Sequence, residues 1–254
     1  MENLSQITAR KVVLEEQAPF TDAHCHLDLF PDPRHAFEEA RNAGVGIVIT
    51  AGGSSESNMK ILDIVGEGIY GVVGIEPDFA ASDSAGVGDL PEIIRMKSHI
   101  VGIGEIGLDA VMAGKSPLDI QEKLFRRQLD IASSMELPVV VHSRKMIKKT
   151  IEVLKESSIA NAVFHYFEGN EEDAKAVEKE GWLVSIPPIE SGRLKRVIKV
   201  LDMDSIVAET DSPVVGKFPS DVVGVIEKIA SLKGISTVEA GEKMTKTLKE
   251  YFYV

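Results

Sequence analysis

One cysteine, Cys25, stands in 254 residues, so no intrachain disulfide can staple this fold. Long apolar runs are missing too: each candidate is strand-length and broken by Gly, His or Pro, well short of the ~20 residues that span a bilayer. A membrane role is therefore not expected. The opening Met1-Glu2-Asn3-Leu4-Ser5-Gln6 lacks the charge-then-apolar order of a secretory leader, and a cytoplasmic location follows as the expectation. Positive charge is scarce, 28 Lys and Arg against 40 Asp and Glu, a net −12. That argues against a broad electrostatic footprint for nucleic acid, while a local basic rim stays compatible with a phosphate substrate. There is no low-complexity segment, internal repeat or linker, so a single domain over residues 1–254 is expected, with no obligate protein partner evident.

What is present is alternation. Short Val/Ile/Gly-rich runs near 20–27, 45–51, 69–75, 100–106, 138–143, 161–166, 182–187 and 205–211 are separated by amphipathic, charged segments. Parallel strands buried on both faces and joined by covering helices have this pattern. Eight such units predict an α/β fold, a (β/α)8 TIM barrel, with a short N-terminal extension over residues 1–18 and a C-terminal helix. Ser116-Pro117 predicts a cap and first-turn proline for a helix over Leu118 to Met135. Ser236 with Glu239 predicts a capping box for a last helix running to about Tyr251, packed against the outside of the barrel.

His24-Cys25-His26 places two imidazoles two residues apart at the end of the first run, on one face of a strand. Four more residues of ligand type fall at predicted strand ends: Glu105, His142, His165 and Asp211. In a barrel the C-terminal strand ends converge on one face, where such residues act as catalytic groups. Together the six predict a metallohydrolase. The other two histidines, His35 and His99, read as surface residues, Cys25 as a small buried hydrophobe, and Trp182 as packing.

The motifs Asp22-Ala23-His24-Cys25-His26-Leu27, Gly104-Glu105-Ile106-Gly107-Leu108-Asp109, Gln121 to Gln128, Val141-His142-Ser143-Arg144, Phe164-His165-Tyr166-Phe167-Glu168-Gly169 and Glu209-Thr210-Asp211-Ser212-Pro213 carry a family likeness. In order and spacing the chain, from about Phe20 to Pro213, resembles the TatD-type metal-dependent deoxyribonucleases of the amidohydrolase-like barrels. The resemblance implies two divalent ions, His24, His26 and Asp211 on one, His142 and His165 on the other, with Glu105 bridging. It also implies phosphodiester cleavage by a metal-bound hydroxide, with Asp211 and Glu105 as catalytic carboxylates. Four imidazoles and two carboxylates suit Zn²⁺, Mn²⁺ or Fe²⁺, whereas Mg²⁺, with which the family is associated, prefers oxygen, so the metal stays open. Asp22, Glu209, Asp28 and Ser143 are candidates to orient the imidazoles.

The substrate side departs from the family. Where members carry Gly-x-His-Pro-His, this chain has Gly74-Ile75-Glu76-Pro77-Asp78; after Asp109 the usual aromatic and basic residues are replaced by Ala110-Val111-Met112-Ala113-Gly114, and after Pro213 the aromatic and Arg-rich loop shrinks to Val214-Val215-Gly216-Lys217-Phe218-Pro219. Glu76 is thus a substrate-facing candidate that would repel a phosphate. Arg144 is the leading candidate for a phosphate clamp, ahead of Lys115, Arg193, Lys195 and Arg196. Three readings stand: a phosphodiesterase acting on DNA or a shorter nucleotide, an amidohydrolase acting on a small amide, ester or lactone, and a non-catalytic metal-binding scaffold.

Overall fold

The computed structural model describes residues 20–254, so the proposed extension over residues 1–18 lies outside the described residues. Eight parallel strands run in chain order: β1 Phe20–Cys25, β2 Val45–Ala51, β3 Ile69–Val73, β4 Ile100–Gly107, β5 Val139–His142, β6 Ala162–Phe164, β7 Leu183–Ile186 and β8 Ile206–Ala208. Past the end of β8, Asp211 N–H donates to His24 O at 2.9 Å and His26 N–H to Ser212 O at 2.8 Å, so the last strand returns to the first. The fold is a (β/α)8 barrel. Its helices are α1 Pro33–Asn42, α2 Ser55–Ile64, α3 Leu90–Met96, α4 Leu118–Ser134, α5 Ile147–Lys155, α6 Glu171–Lys179, α7 Gly192–Val200, α8 Val222–Lys233 and α9 Thr237–Phe252. No helix among the described residues is long and apolar enough to cross a membrane.

Strand alternation sorts the core into two layers. Val72, Val140, Val163 and Val207 fill the barrel interior, while their neighbours Val73, Val141, Phe164 and Ala208 face the helices. Cys25 belongs to the outer layer, with its thiol 3.7 Å from Ile49 O, and Trp182 packs beside Phe164 at 6.1 Å between ring centroids. Both are packing residues, as their sequence context predicts.

Three expectations are corrected. β6 and β8 stop at Phe164 and Ala208, and beyond them Tyr166 and Asp211 take left-handed φ values of 44° and 50° that a strand could not include. His165 and Asp211 therefore stand on loops just past the strands. Ser116 does not cap α4: Pro117 occupies the N-cap, and the Ser116 hydroxyl instead accepts from Ala81 N–H at 3.1 Å and lies 3.2 Å from Asp78 O. The last helix is not confined to the outside. Its Met244 packs in the outer layer, but Leu248 and Phe252 join the interior one and close the end of the barrel opposite the histidines. Ser236 caps it through Glu239 N–H at 3.1 Å, while the Glu239 carboxylate turns to Lys243.

Candidate metal centre

Two irregularities in the strands aim the ligand-type side chains. Between Asp22 and Cys25 three residues of β1 oppose two of β2, and this bulge lets Ala23 enter the interior layer while His24 and His26 both reach the mouth. Between Ile103 and Ile106 three residues of β4 oppose two of β5, which turns Glu105 to the same mouth. Gly107, at φ 144°, permits the close approach of β4 to β5 there, because a Cβ would fall 2.0 Å from His142 O.

The six side chains meet in one cluster, with Glu105 between its halves. Glu105 Oε2 lies 3.4 Å from His24 Nε2 and 3.7 Å from His26 Nε2, and Asp211 Oδ1 is 3.3 Å from His26 Nε2. Glu105 Oε1 faces the other half, 2.6 Å from His142 Nδ1 and 2.9 Å from His165 Nε2. His24, Glu105, His165 and Asp211 are buried, and His26 and His142 partly so.

The donor set fits divalent cations. His26 Nδ1 is 3.2 Å from Ala51 O, which fixes a proton there and turns the Nε2 lone pair toward His24 Nε2, 3.3 Å away. His142 Nδ1 and His165 Nε2 are likewise 3.2 Å apart. Facing lone pairs in a buried site require protons or a cation between them. Without a cation the carboxylates keep the protons on the rings: burial pushes His26 and His142 down, yet Asp211 and Glu105 raise the first to about 9, and Asp109 and Glu105 raise the second to about 9. Burial pushes Asp211 up, but the His26 hydrogen bond and the charges of His165, His24 and His26 together outweigh it and hold the carboxyl below its ordinary value. Three groupings within the cluster hold ligand atoms close enough for one ion: His24 with His26 and Glu105; His24 with His165 and Asp211; Glu105 with His142 and His165.

Of the expected orienting residues, only Glu209 approaches a ring, at 3.6 Å from His165 Nδ1, while it also accepts from Tyr166 N–H at 2.6 Å. Asp22 instead accepts from Thr210 N–H and hydroxyl, tying β8 to β1. Asp28 accepts from the Ser57 hydroxyl. The residue that sequence reasoning missed is Asp109, whose Oδ2 lies 3.0 Å from His142 Nε2. Gln121 of α4 holds it by a two-way bond, accepting from Asp109 N–H at 2.7 Å and donating to Asp109 O at 3.0 Å. Gln128, two turns further along the helix, grips Ile75 N–H and O in the same way and so positions Glu76. The spacing of two glutamines on one helix was the available signal.

A pocket of about 380 Å3 opens on the cluster, its lining including the apolar Leu29, Phe79 and Val214 and the polar Ser54, Ser57 and Lys60. Glu76 lines it, where burial and the Glu105 charge push its carboxyl up to about 8. Arg144 is exposed and does not line this pocket. Lys115 is drawn to Asp78 at 3.7 Å, Lys195 to Glu190 at 3.1 Å and Arg196 to Glu171 at 2.5 Å.

The family model described as TatD related DNase matches residues 21–253. A human protein named deoxyribonuclease TATDN3 is 32% identical over 91% of this chain and 93% of its own length. A protein of Methanocaldococcus jannaschii named as a metal-dependent hydrolase is 29% identical over 92% of this chain and 96% of its own. The crystal structure of the Escherichia coli TatD homologue YjjV shares the fold, with a TM-score of 0.87 at 23% identity, covering 93% of this chain and 99% of that one.

Proposed function

We propose, from the premise that this chain belongs to the TatD related DNase family, that it is a metal-dependent hydrolase cleaving phosphodiester bonds in DNA or shorter nucleotides. The observation that carries this reading is the position of Glu105, whose two oxygens face two separate imidazole pairs. His24, His26 and Asp211 would hold one divalent ion, His142 and His165 the other, with Glu105 shared. Two such ions supply an activated water and polarise the phosphoryl oxygen.

The chain's own groups do the rest. Asp211, at the rim of the cluster, orients the attacking water and takes its proton at a carboxylate oxygen. Asp109 and Ala51 O hold His142 and His26 in the ring orientations that turn one nitrogen to the cluster. Leu29, Phe79 and Val214 give the pocket the apolar part of its lining, against which a base or sugar could pack.

A second reading, hydrolysis of a small amide, ester or lactone, is favoured by Glu76, because a carboxylate in the pocket suits a cationic or hydroxylated substrate better than a phosphate. The deciding experiment offers the metal-loaded protein a labelled single-stranded oligonucleotide beside a panel of amides, esters, lactones and phosphate esters. Metal-dependent oligonucleotide cleavage, lost in Asp211→Asn, is expected. Turnover confined to amides, esters or lactones would replace the first reading by the second.

A further inference from the structure

A larger cavity, of about 570 Å3, lies on the same face of the barrel, between the loops that follow β5, β6 and β7. Lys145, Lys148 and Arg193 line it, all three exposed. None of them has a carboxylate at ion-pair distance among the described residues. Their neighbours do: Lys149 pairs with Glu122 at 3.3 Å, Lys195 with Glu190 and Arg196 with Glu171. Two carboxylates, Glu168 and Asp173, also stand in the wall, the latter accepting from Asn170 N–H at 3.1 Å, against four cations with Lys149 included. In a chain of net charge −12, unpaired cations gathered around one hollow form a local field of the opposite sign.

Neutral donors point the same way. The N-cap of α5 is Met146, which has no side-chain acceptor to offer, and among the described residues no acceptor meets the N–H groups of Ile147, Lys148 and Lys149. All three residues line the cavity. Asn170 uses its Oδ1 to cap α6, and its Nδ2 has no partner among the described residues. First-turn N–H groups and the positive end of a helix dipole favour an anion. The cavity also lies within chain reach of the cluster: Lys145 is three residues beyond His142 and Glu168 three beyond His165, at most ~11 Å along each chain.

We propose that this cavity binds a non-scissile phosphate of a single-stranded nucleic-acid chain whose scissile phosphate lies on the histidine and carboxylate cluster. The proposal rests on the phosphodiesterase reading and adds to it a substrate class longer than one nucleotide. It also relocates the phosphate contact from Arg144 to the three cations beyond it.

The test compares wild type with the double variant Lys148→Ala/Arg193→Ala, both side chains being exposed, and with Lys243→Ala on α9 at the other end of the barrel as a charge control. For a short single-stranded oligonucleotide the double variant is expected to raise KM about tenfold with kcat unchanged, a loss of ~1.4 kcal/mol in binding. Hydrolysis of bis(p-nitrophenyl) phosphate, which offers one phosphate only, should not change. Fluorescence anisotropy of the labelled oligonucleotide should show the slope of log affinity against log salt falling by ~0.7 for each phosphate that the variant no longer neutralises. Oligonucleotide KM, affinity and salt slope all equal to wild type would overturn the proposal. So would binding of an acidic peptide that the double variant loses while it keeps the oligonucleotide. Failure of the wild type to cleave either diester would count against the phosphodiesterase reading itself, and the anisotropy arm would still decide the cavity.

Discussion

The two ends of this barrel solve the same problem in opposite ways. At the end closed by α9, Leu248 and Phe252 extend the apolar interior, and Tyr251 and Asn161 beside them are hydrogen-bonded. Tyr251 Oη accepts from Ala162 N–H at 3.0 Å and lies 3.0 Å from Gly181 O, and Asn161 Nδ2 donates to Tyr251 O at 3.0 Å. At the other end, six ligand-type side chains crowd together, and His24 Nδ1, His165 Nδ1 and Glu209 Oε2 are buried without a hydrogen-bond partner. Buried polar groups are normally paired; Thr21, Thr150 and Ser185 leave single hydroxyls unpaired elsewhere, but among the described residues only at this mouth do orphans fall among ligand-type side chains, which marks it as the end where stability yields to chemistry.

The largest effect should separate the ends completely. Glu105→Ala removes the one group that faces both imidazole pairs, and it is expected to abolish hydrolysis and lower bound metal below two ions per chain. The fold should persist, since the substitution leaves the closed end untouched. Elemental analysis beside a thermal melt checks this, and full activity with unchanged metal content would reduce Glu105 to an ordinary strand-end carboxylate.

The mirror experiment is Phe252→Ala. Phe252 is 2% exposed in the interior layer, so truncation leaves a cavity and should cost ~3–5 kcal/mol of stability. Metal content and kcat should stay at wild-type values at a temperature where the variant is folded. Denaturant unfolding gives the first quantity and turnover the second. A loss of metal without a loss of stability would mean that the two ends are coupled through the interior.

How much of this contrast was legible in the sequence follows from how local each feature is. Alternation of apolar runs marked the eight strands, and position at their ends picked out His24, His26, Glu105, His142, His165 and Asp211, which the fold brings together. The support behind them was not legible. Asp109 holds His142 across 33 residues, and Gln128 holds Ile75 across 53, pairings that exist only once the barrel closes. Ser116 carried a local capping signal that lost to tertiary bonds with Ala81 and Asp78, and α9 carried an amphipathic pattern that did not tell an outer helix from one whose last turn closes the barrel.

A smaller effect sharpens the view of that support. Asp109→Asn keeps the shape but removes the charge that steadies His142 Nε2, and a change in such a supporting partner lowers metal affinity or activity ~10–100-fold. Titration of the metal-free variant with Zn²⁺ or Mn²⁺ measures it. Affinity equal to wild type would leave Asp109 as a loop anchor for Val111 and Met112, whose N–H groups it also accepts.

The smallest expected effect concerns the pocket rather than the cluster. Glu76 stands where related sequences present a histidine to phosphate, and it lines the pocket beside His26 and Glu105. Once the Glu76 carboxyl, pushed up to about 8, is ionised, it opposes a phosphate: two unit charges of one sign 4 Å apart repel by ~4 kcal/mol at an effective dielectric near 20. Divalent ions in the cluster would offset only part of this, although they would be the largest local charges in such a site. Nuclease activity of the wild type should therefore be weak. Glu76→Gln, which removes the charge at constant shape, should raise kcat/KM for a short single-stranded oligonucleotide by up to about tenfold, ~1.4 kcal/mol in the barrier. Glu76→His, which adds a donor, should raise it at least as much. The measurement must be made above pH 8, where Glu76 is ionised, and at equal metal loading, since both variants also change the field on His26. A fall in both variants would show that the carboxylate assists the reaction, and a fall in Gln with recovery in His would show that the position needs a proton donor or acceptor rather than the absence of charge.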